Sequence, residues 1–318
     1  MSRQRFPRFL GWRVLRRPGL LAATTSTRRK TGHMAPHTDR APASPLPALL
    51  DQFFATKSAF DVDGTMSYFA PDMKAYIDAT LGWEFDYAAL KSVFEKYMPG
   101  WAPPARSYAS KILAGPDSAL VHMVDTPELF GGEIRFLTAV DFADGNIVRW
   151  VDYWDSSAFD PGLYTQFRTP FEDFPRDLKD TQVPTRAAPG LVSAATALQR
   201  AFTSADASAA GELMNTDVVL VDMALRTHVI GRIETVRYLE RVLGQAPYGH
   251  SSHLRHVIGG HDGGGFEWTA GLRADRLAGI TALELDSDGL ITAITTVYDS
   301  RQIDPATQGA LLSASRPR

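Results

Sequence analysis

Apolar positions along the chain follow two periods that alternate in a fixed order. Leu49, Leu50, Phe53, Phe54 and Ala55 recur at helical spacing, and Val62, Met66 and Phe69 continue it after a break near Asp61, which predicts two short helices. Residues 73–79 then alternate as a strand. Leu90, Val93, Phe94 and Tyr97 share one side of a helix over 87–97, which Gly100 to Pro104 stops. Three extended segments follow near 106–113, 118–125 and 133–142, and a last strand spans 146–154 after the turn signal Asp144-Gly145.

The same order then returns. Helices are expected over 191–203 and 206–214, a strand over 217–223, a helix over 232–243, extended segments over 252–258, 266–274 and 278–286, and a final strand over 290–298. Asp144-Gly145-x-Ile147 ahead of Trp154-Asp155-Ser156 recurs as Asp288-Gly289-x-Ile291 ahead of Tyr298-Asp299-Ser300, and Asp78 recurs as Asp222. The offset is constant, since 299 minus 155 and 222 minus 78 both give 144. Two distant landmarks keep one offset when a folding unit has been duplicated. The resulting division is a basic arm and linker over 1–44, a first domain over 45–160, a Pro-rich tether over 161–188, a second domain over 189–304 and a tail over 305–318. Helices first and strands last describe an α+β unit whose curved antiparallel sheet wraps its helices.

Composition narrows the function. No run approaches the ~20 apolar residues of a membrane span, and a chain without cysteine has neither disulfides nor thiolate chemistry. The net charge of −3 hides eight Arg and one Lys in the first thirty residues, so the remainder stands at −12. A body that acidic repels phosphate backbones, and nucleic acid is not expected as a partner. Arg16-Arg17 ahead of a short apolar stretch faintly resembles an export signal, and the acid-free arm a transit segment; the preferred reading is a plain extension, with translation starting at Met34 and the protein cytoplasmic.

Ala70-Pro71-Asp72, the strand Tyr76-Ile77-Asp78 and the run from Asp144 to Asp155 resemble the cone-shaped NTF2-like superfamily, with its SnoaL-like polyketide cyclases, ketosteroid isomerases and limonene epoxide hydrolases. The resemblance implies two tandem cystatin-type α+β cones that pair through their outer sheet faces as an intramolecular pseudo-dimer, with a further homodimer as an option. For the reaction it is weak, because one fold hosts many chemistries.

Strand parity sorts the candidate site. Val148, Trp150, Asp152 and Trp154 share one face, opposite Ile147, Arg149, Val151 and Tyr153. An acid between two indoles is costly in a dry core, so Asp152 is expected to line a cavity. Tyr76, Asp78 and Asp125 converge on it if their strands face the same way. The limonene epoxide hydrolase pattern maps Asp125 and Asp152 as paired carboxylates; Met123 stands where that pattern has an arginine, and Asp78 where it has an amide. Asp78 instead occupies the position of the general base of ketosteroid isomerases, which implies proton transfer with Asp125 or Asp152 as neutral donor. Tyr76, Asp78, Asp125 and Asp152 are therefore the expected catalytic set. Trp83, Met123, Trp150 and Trp154 are the expected walls for an apolar, ring-containing substrate. In the second copy Thr296 replaces Asp152, so that copy is expected to be a degenerate partner.

The expected function is a cofactor-independent isomerase or cyclase acting on a polyketide- or terpenoid-like molecule. Epoxide opening, or a non-catalytic module that holds a hydrophobic ligand, are the alternatives. No metal is expected: His253 points away from His250 and His256 on a strand. Asp61-Val62-Asp63-Gly64-Thr65 matches a phosphatase nucleophile motif but follows a helix, so it reads as a turn, and Gly259 to Gly265 reads as a hairpin end. Asp155 and Asp299 sit at strand ends and are read as solvated or capping acids.

Overall fold

A computed structural model describes residues 44–183, 186–271 and 277–316. The basic arm, Met34 and the end of the 266–274 segment lie outside those residues. The first half runs α1 (Leu46–Ser58), α2 (Val62–Met66), β1 (Ala75–Asp78), β2 (Trp83–Phe85), α3 (Tyr87–Tyr97), β3 (Ser107–Ala114), β4 (Ser118–Asp125), α4 (Pro127–Phe130), β5 (Ile134–Ala143), β6 (Asn146–Tyr153) and α5 (Pro161–Phe167). The second runs α6 (Pro189–Thr203), α7 (Ala207–Glu212), β7 (Met214–Asp222), β8 (Thr227–Ile230), α8 (Arg232–Val242), β9 (Ser252–Gly260), β10 (Gly263–Ala270), β11 (Leu277–Leu285), β12 (Ile291–Tyr298) and α9 (Pro305–Ser315). Both are α+β. Asp61 and Asp86 start α2 and α3 by accepting from the Gly64 and Ala89 amides, so the phosphatase-like motif is a helix cap.

Each half builds one six-stranded sheet, in the orders β2-β1-β6-β5-β4-β3 and β8-β7-β12-β11-β10-β9. The sheets are mixed, which corrects the antiparallel expectation: β1 runs parallel to β6, and β7 to β12. Parallel neighbours need a long crossover, here four strands in each half, with α3 and α4 in the first and α8 in the second. Strands β2 and β8, at 3 and 4 residues, are too short to show a period and escaped the sequence pattern.

A β-bulge re-aims the last strand. Asp141 pairs with Arg149 but Phe142 with Ile147, so Val148 is skipped. Ile147 consequently packs in the inner cluster with Trp150 and Trp154, against the parity expected for it. The second half repeats the irregularity one offset later, where Glu284 pairs with Ala293 and Leu285 with Ile291.

The sheets pack outer face to outer face, joining Ile77, Leu137 and Val151 to Ile258, Ile280 and Val297 in a cluster separate from the two inner cores. Within this apolar layer lies a buried ionic knot. Arg149 on β6 donates to Asp141 Oδ2 (2.8 Å), to both Glu267 oxygens of the second half (2.7 and 2.8 Å) and to the Leu178 carbonyl (2.6 Å). Tyr153 Oη donates to Glu267 (2.6 Å), and His256 Nε2 meets Asp141 (2.8 Å). At the strand ends the halves exchange caps. Asp299 Oδ1 accepts from the Ser156 amide and hydroxyl, and Asp155 Oδ1 from the Ser300 amide and hydroxyl. Asp155 and Asp299 are thus caps, as one of their two readings had it, but caps across the duplication, and Asp299 is buried.

The supposed surface tether and tail are folded. Tyr164, Phe174 and Leu178 of the former are buried, as is Leu311 of the latter. Asp160 caps α5 and Asp304 caps α9, again 144 apart (304 minus 160). The Asp-Pro pairs that open these helices were a legible cue, since Pro at the first helical turn follows naturally on an acidic cap.

Candidate functional site

The parallel ladder places Tyr76 beside Trp150 and Asp78 beside Asp152. Pleat then turns all four inward, while Ala75, Ile77 and Val151 enter the inter-sheet layer. Asp152 accepts from Tyr76 Oη (2.6 Å), Thr138 Oγ1 (2.6 Å) and the Trp150 indole (2.8 Å). Asp78 accepts from the amides of Thr80 (2.9 Å) and Leu81 (2.8 Å) and from the Trp154 indole (3.0 Å). Phe53, Phe69 and Tyr76 surround Trp150, with the Tyr76 ring stacked on it at 6.1 Å.

Burial pushes the Asp78 carboxyl up to about 7, helped by the neighbouring Asp152 charge and opposed by its amide and indole donors. Burial also raises Asp152, to about 6, and there the donors Thr138 and Tyr76 and the Lys57 charge pull back. Both acids are thus raised by burial, and Asp78 is the one also pushed up by the charge of its neighbour.

Asp125 stands apart from this pair. The register sets Val121, not Asp125, on the Asp78–Asp152–Thr138 ladder. Asp125 lies four residues along β4, roughly 13 Å at the usual strand rise. Its partners are the Ser107 hydroxyl and, at 3.9 Å, Lys57. The expected Asp125–Asp152 couple is thus replaced by Asp78–Asp152. Met123 is buried in the inner cluster. Trp150 and Trp154, expected as open walls, are buried donors to the two acids, whereas Trp83 is half-buried and donates to the Phe167 carbonyl (2.8 Å).

Lys57 and Thr138 were missed by the sequence reading. Lys57 falls seven residues after Leu50 on the apolar stripe of α1, which is a readable cue for an inward cation. It supplies from a helix the positive charge that Met123 withholds on β4. Thr138 gave no such cue, because only the bulge brings it opposite Asp152.

The second half shows what the duplication kept. Asp222 pairs with Thr296, and Thr296 with Thr281, matching Asp78–Asp152–Thr138 step for step. Asp222 accepts from the Leu225 amide and from Tyr248 Oη (3.1 Å), and burial raises it to about 6. His250 meets the Thr203 carbonyl. Among the described residues no group of three metal-ligating side chains gathers, and no helix is long and apolar enough to cross a membrane.

No protein-family model matches the chain, nor does any curated protein. Solved structures do. A protein with a cystatin-like fold from Silicibacter pomeroyi is 20% identical, with 40% of this chain and 85% of that one covered and a TM-score of 0.33. A steroid delta-isomerase from Pseudomonas aeruginosa is 15% identical over 41% of this chain and 90% of its own, TM-score 0.32. A SnoaL-like protein from Burkholderia thailandensis is 11% identical over 35% and 95%, TM-score 0.30. The structures to which this chain is similar include NTF2-like, SnoaL-like, cystatin-like and ketosteroid isomerase folds.

Proposed function

We propose that the first half is a cofactor-independent acid–base centre that moves a proton within an apolar, ring-containing small molecule, and that the second half is its built-in partner. One observation carries the reading: two buried carboxyls side by side on a parallel ladder, set among aromatic rings, with Asp78 held near 7. A proton shuttle works best when its pKa is close to the working pH. In this reading ionised Asp78 takes a proton from a carbon next to a carbonyl and returns it at the conjugated position. Asp152, its charge held by Tyr76, Thr138 and Trp150, tunes that pKa. The neutral-donor role expected of Asp125 or Asp152 falls instead to the half-buried Tyr76 hydroxyl once a substrate oxygen displaces Asp152 as the acceptor of its single proton.

A β,γ-unsaturated cyclic ketone tests this, since its shift into conjugation is read by ultraviolet absorbance. Wild-type protein should isomerise it, Asp78→Asn should lose ~10³-fold or more in kcat, and Asp152→Asn should keep turnover with its acid limb moved to lower pH. Equal rates in wild type and Asp78→Asn would end the proposal. A second reading, a non-catalytic holder of hydrophobic ligands, draws on the packing: Asp78, Asp125 and Asp152 are buried with every acid already hydrogen-bonded. Tight binding of the ketone without turnover in wild type would favour it.

A further inference from the structure

The segment that joins the two halves lies across the open end of the first sheet. Asp78 ends β1 and Trp154 directly follows β6, and the residues after Ser156 fold back against Trp154. The Phe159 ring meets Trp154 edge-on at 5.5 Å, Phe167 meets Trp83 edge-on at 6.2 Å, and the two phenylalanines lie 6.5 Å apart. One clamp fixes this segment to the first half: Thr169 donates from its amide and hydroxyl to the Leu81 carbonyl and from its hydroxyl to that of Gly82. Leu81 is the residue whose amide holds Asp78. The approach is so close that a Cβ on Gly82 would overlap Thr169 and the Phe174 ring.

A second clamp comes from the other half. Tyr164 Oη donates to Asp299 Oδ2 (2.9 Å), Arg301 Nη2 donates to the Phe159 carbonyl (2.8 Å), and the Arg301 guanidinium lies 5.0 Å from the Tyr164 ring centre. Charge-assisted bonds of this kind are stronger than neutral ones. They bind the segment from outside the first core, whose own polar hold on it consists of the Leu81 and Gly82 carbonyls and the Trp83 indole, which donates to the Phe167 carbonyl. With the segment in place Asp78 is only 6% exposed.

We propose that residues 159–169 are a movable wall of the first site, held shut from the second half by Arg301 and Asp299, and that Phe159 and Phe167 are the ring faces an entering substrate meets. The duplication then has a use: the partner half positions the wall of the active half. The proposal rests on the acid–base reading only for the identity of the acid uncovered.

Carbodiimide–amine labelling of carboxyls in the full-length protein, read by mass spectrometry, tests it without a substrate. Arg301→Met and Thr169→Val each weaken one clamp at a residue outside the acid pair, the first leaving the Tyr164–Asp299 bond and the second the Thr169 amide bond to Leu81. Each should speed labelling of Asp78 about tenfold, the factor for one hydrogen bond lost, and leave Asp222 of the second half unchanged. Unaltered Asp78 labelling in both variants overturns the wall, and so does parallel acceleration at Asp222, which marks general loosening. Should Arg301→Met not fold, Thr169→Val alone decides. A wild type that fails to isomerise the ketone, with the labelling result as expected, would sink the acid–base reading and leave the wall standing.

Discussion

Replacing Asp78 by Asn should make the protein more stable at pH 8 and less stable at pH 4. Asp78 moves from 3.8 to about 7 on folding. Between those values the native state keeps a proton that the unfolded chain has released, so the wild type loses stability as pH rises from 4 to 7 and levels off above. A shift of about 3 units corresponds to ~4 kcal/mol. Asn carries no charge and escapes that loss. Against it, the Asn amide nitrogen would face the Trp154 indole N–H now accepted by a carboxylate oxygen, which costs ~1–2 kcal/mol. The net expectation is a variant ~2–3 kcal/mol more stable than wild type at pH 8 and ~1–2 kcal/mol less stable at pH 4. Urea unfolding at half-unit pH steps reads both ends. Curves that stay parallel across the range, with no crossover, would refute the claim that burial strains this carboxylate.

Further expectations are independent of one another. Arg149→Met strands Glu267 and Asp141 in the inter-sheet layer and should cost ~3–5 kcal/mol in urea unfolding; a loss below ~1 kcal/mol would show that water reaches the knot. Tyr298 Oη is buried without a hydrogen-bond partner among the described residues, so Tyr298→Phe should be neutral or stabilise by up to ~1 kcal/mol in the same assay, and marked destabilisation would mean a hidden partner. Because the Asp152 charge helps raise Asp78, Asp152→Asn should lower the Asp78 midpoint in carboxyl ¹³C NMR titration, and an unmoved midpoint would uncouple the two acids.

The sequence by itself determined the duplication, the α+β class and the inward face of β1, because a constant offset and a two-residue alternation are properties of the chain alone. It also held cues that were passed over, such as Lys57 on the apolar stripe of α1 and the matched Asp160-Pro161 and Asp304-Pro305 helix starts. What it did not contain is register. Counted straight back from the Asp144-Gly145 turn, Asp152 would stand opposite Leu137; the bulge at Val148 moves it opposite Thr138 and turns Ile147 inward. No glycine stands at Val148, so the local sequence carries no cue for that irregularity. The choice of Asp78 over Asp125 as partner of Asp152 was equally tertiary, since it depends on β1 running parallel beside β6 after a crossover of some seventy residues. The clamp of Arg301 on Phe159 was least legible of all. It joins groups 142 residues apart, and only the packing of one sheet on the other brings them within reach.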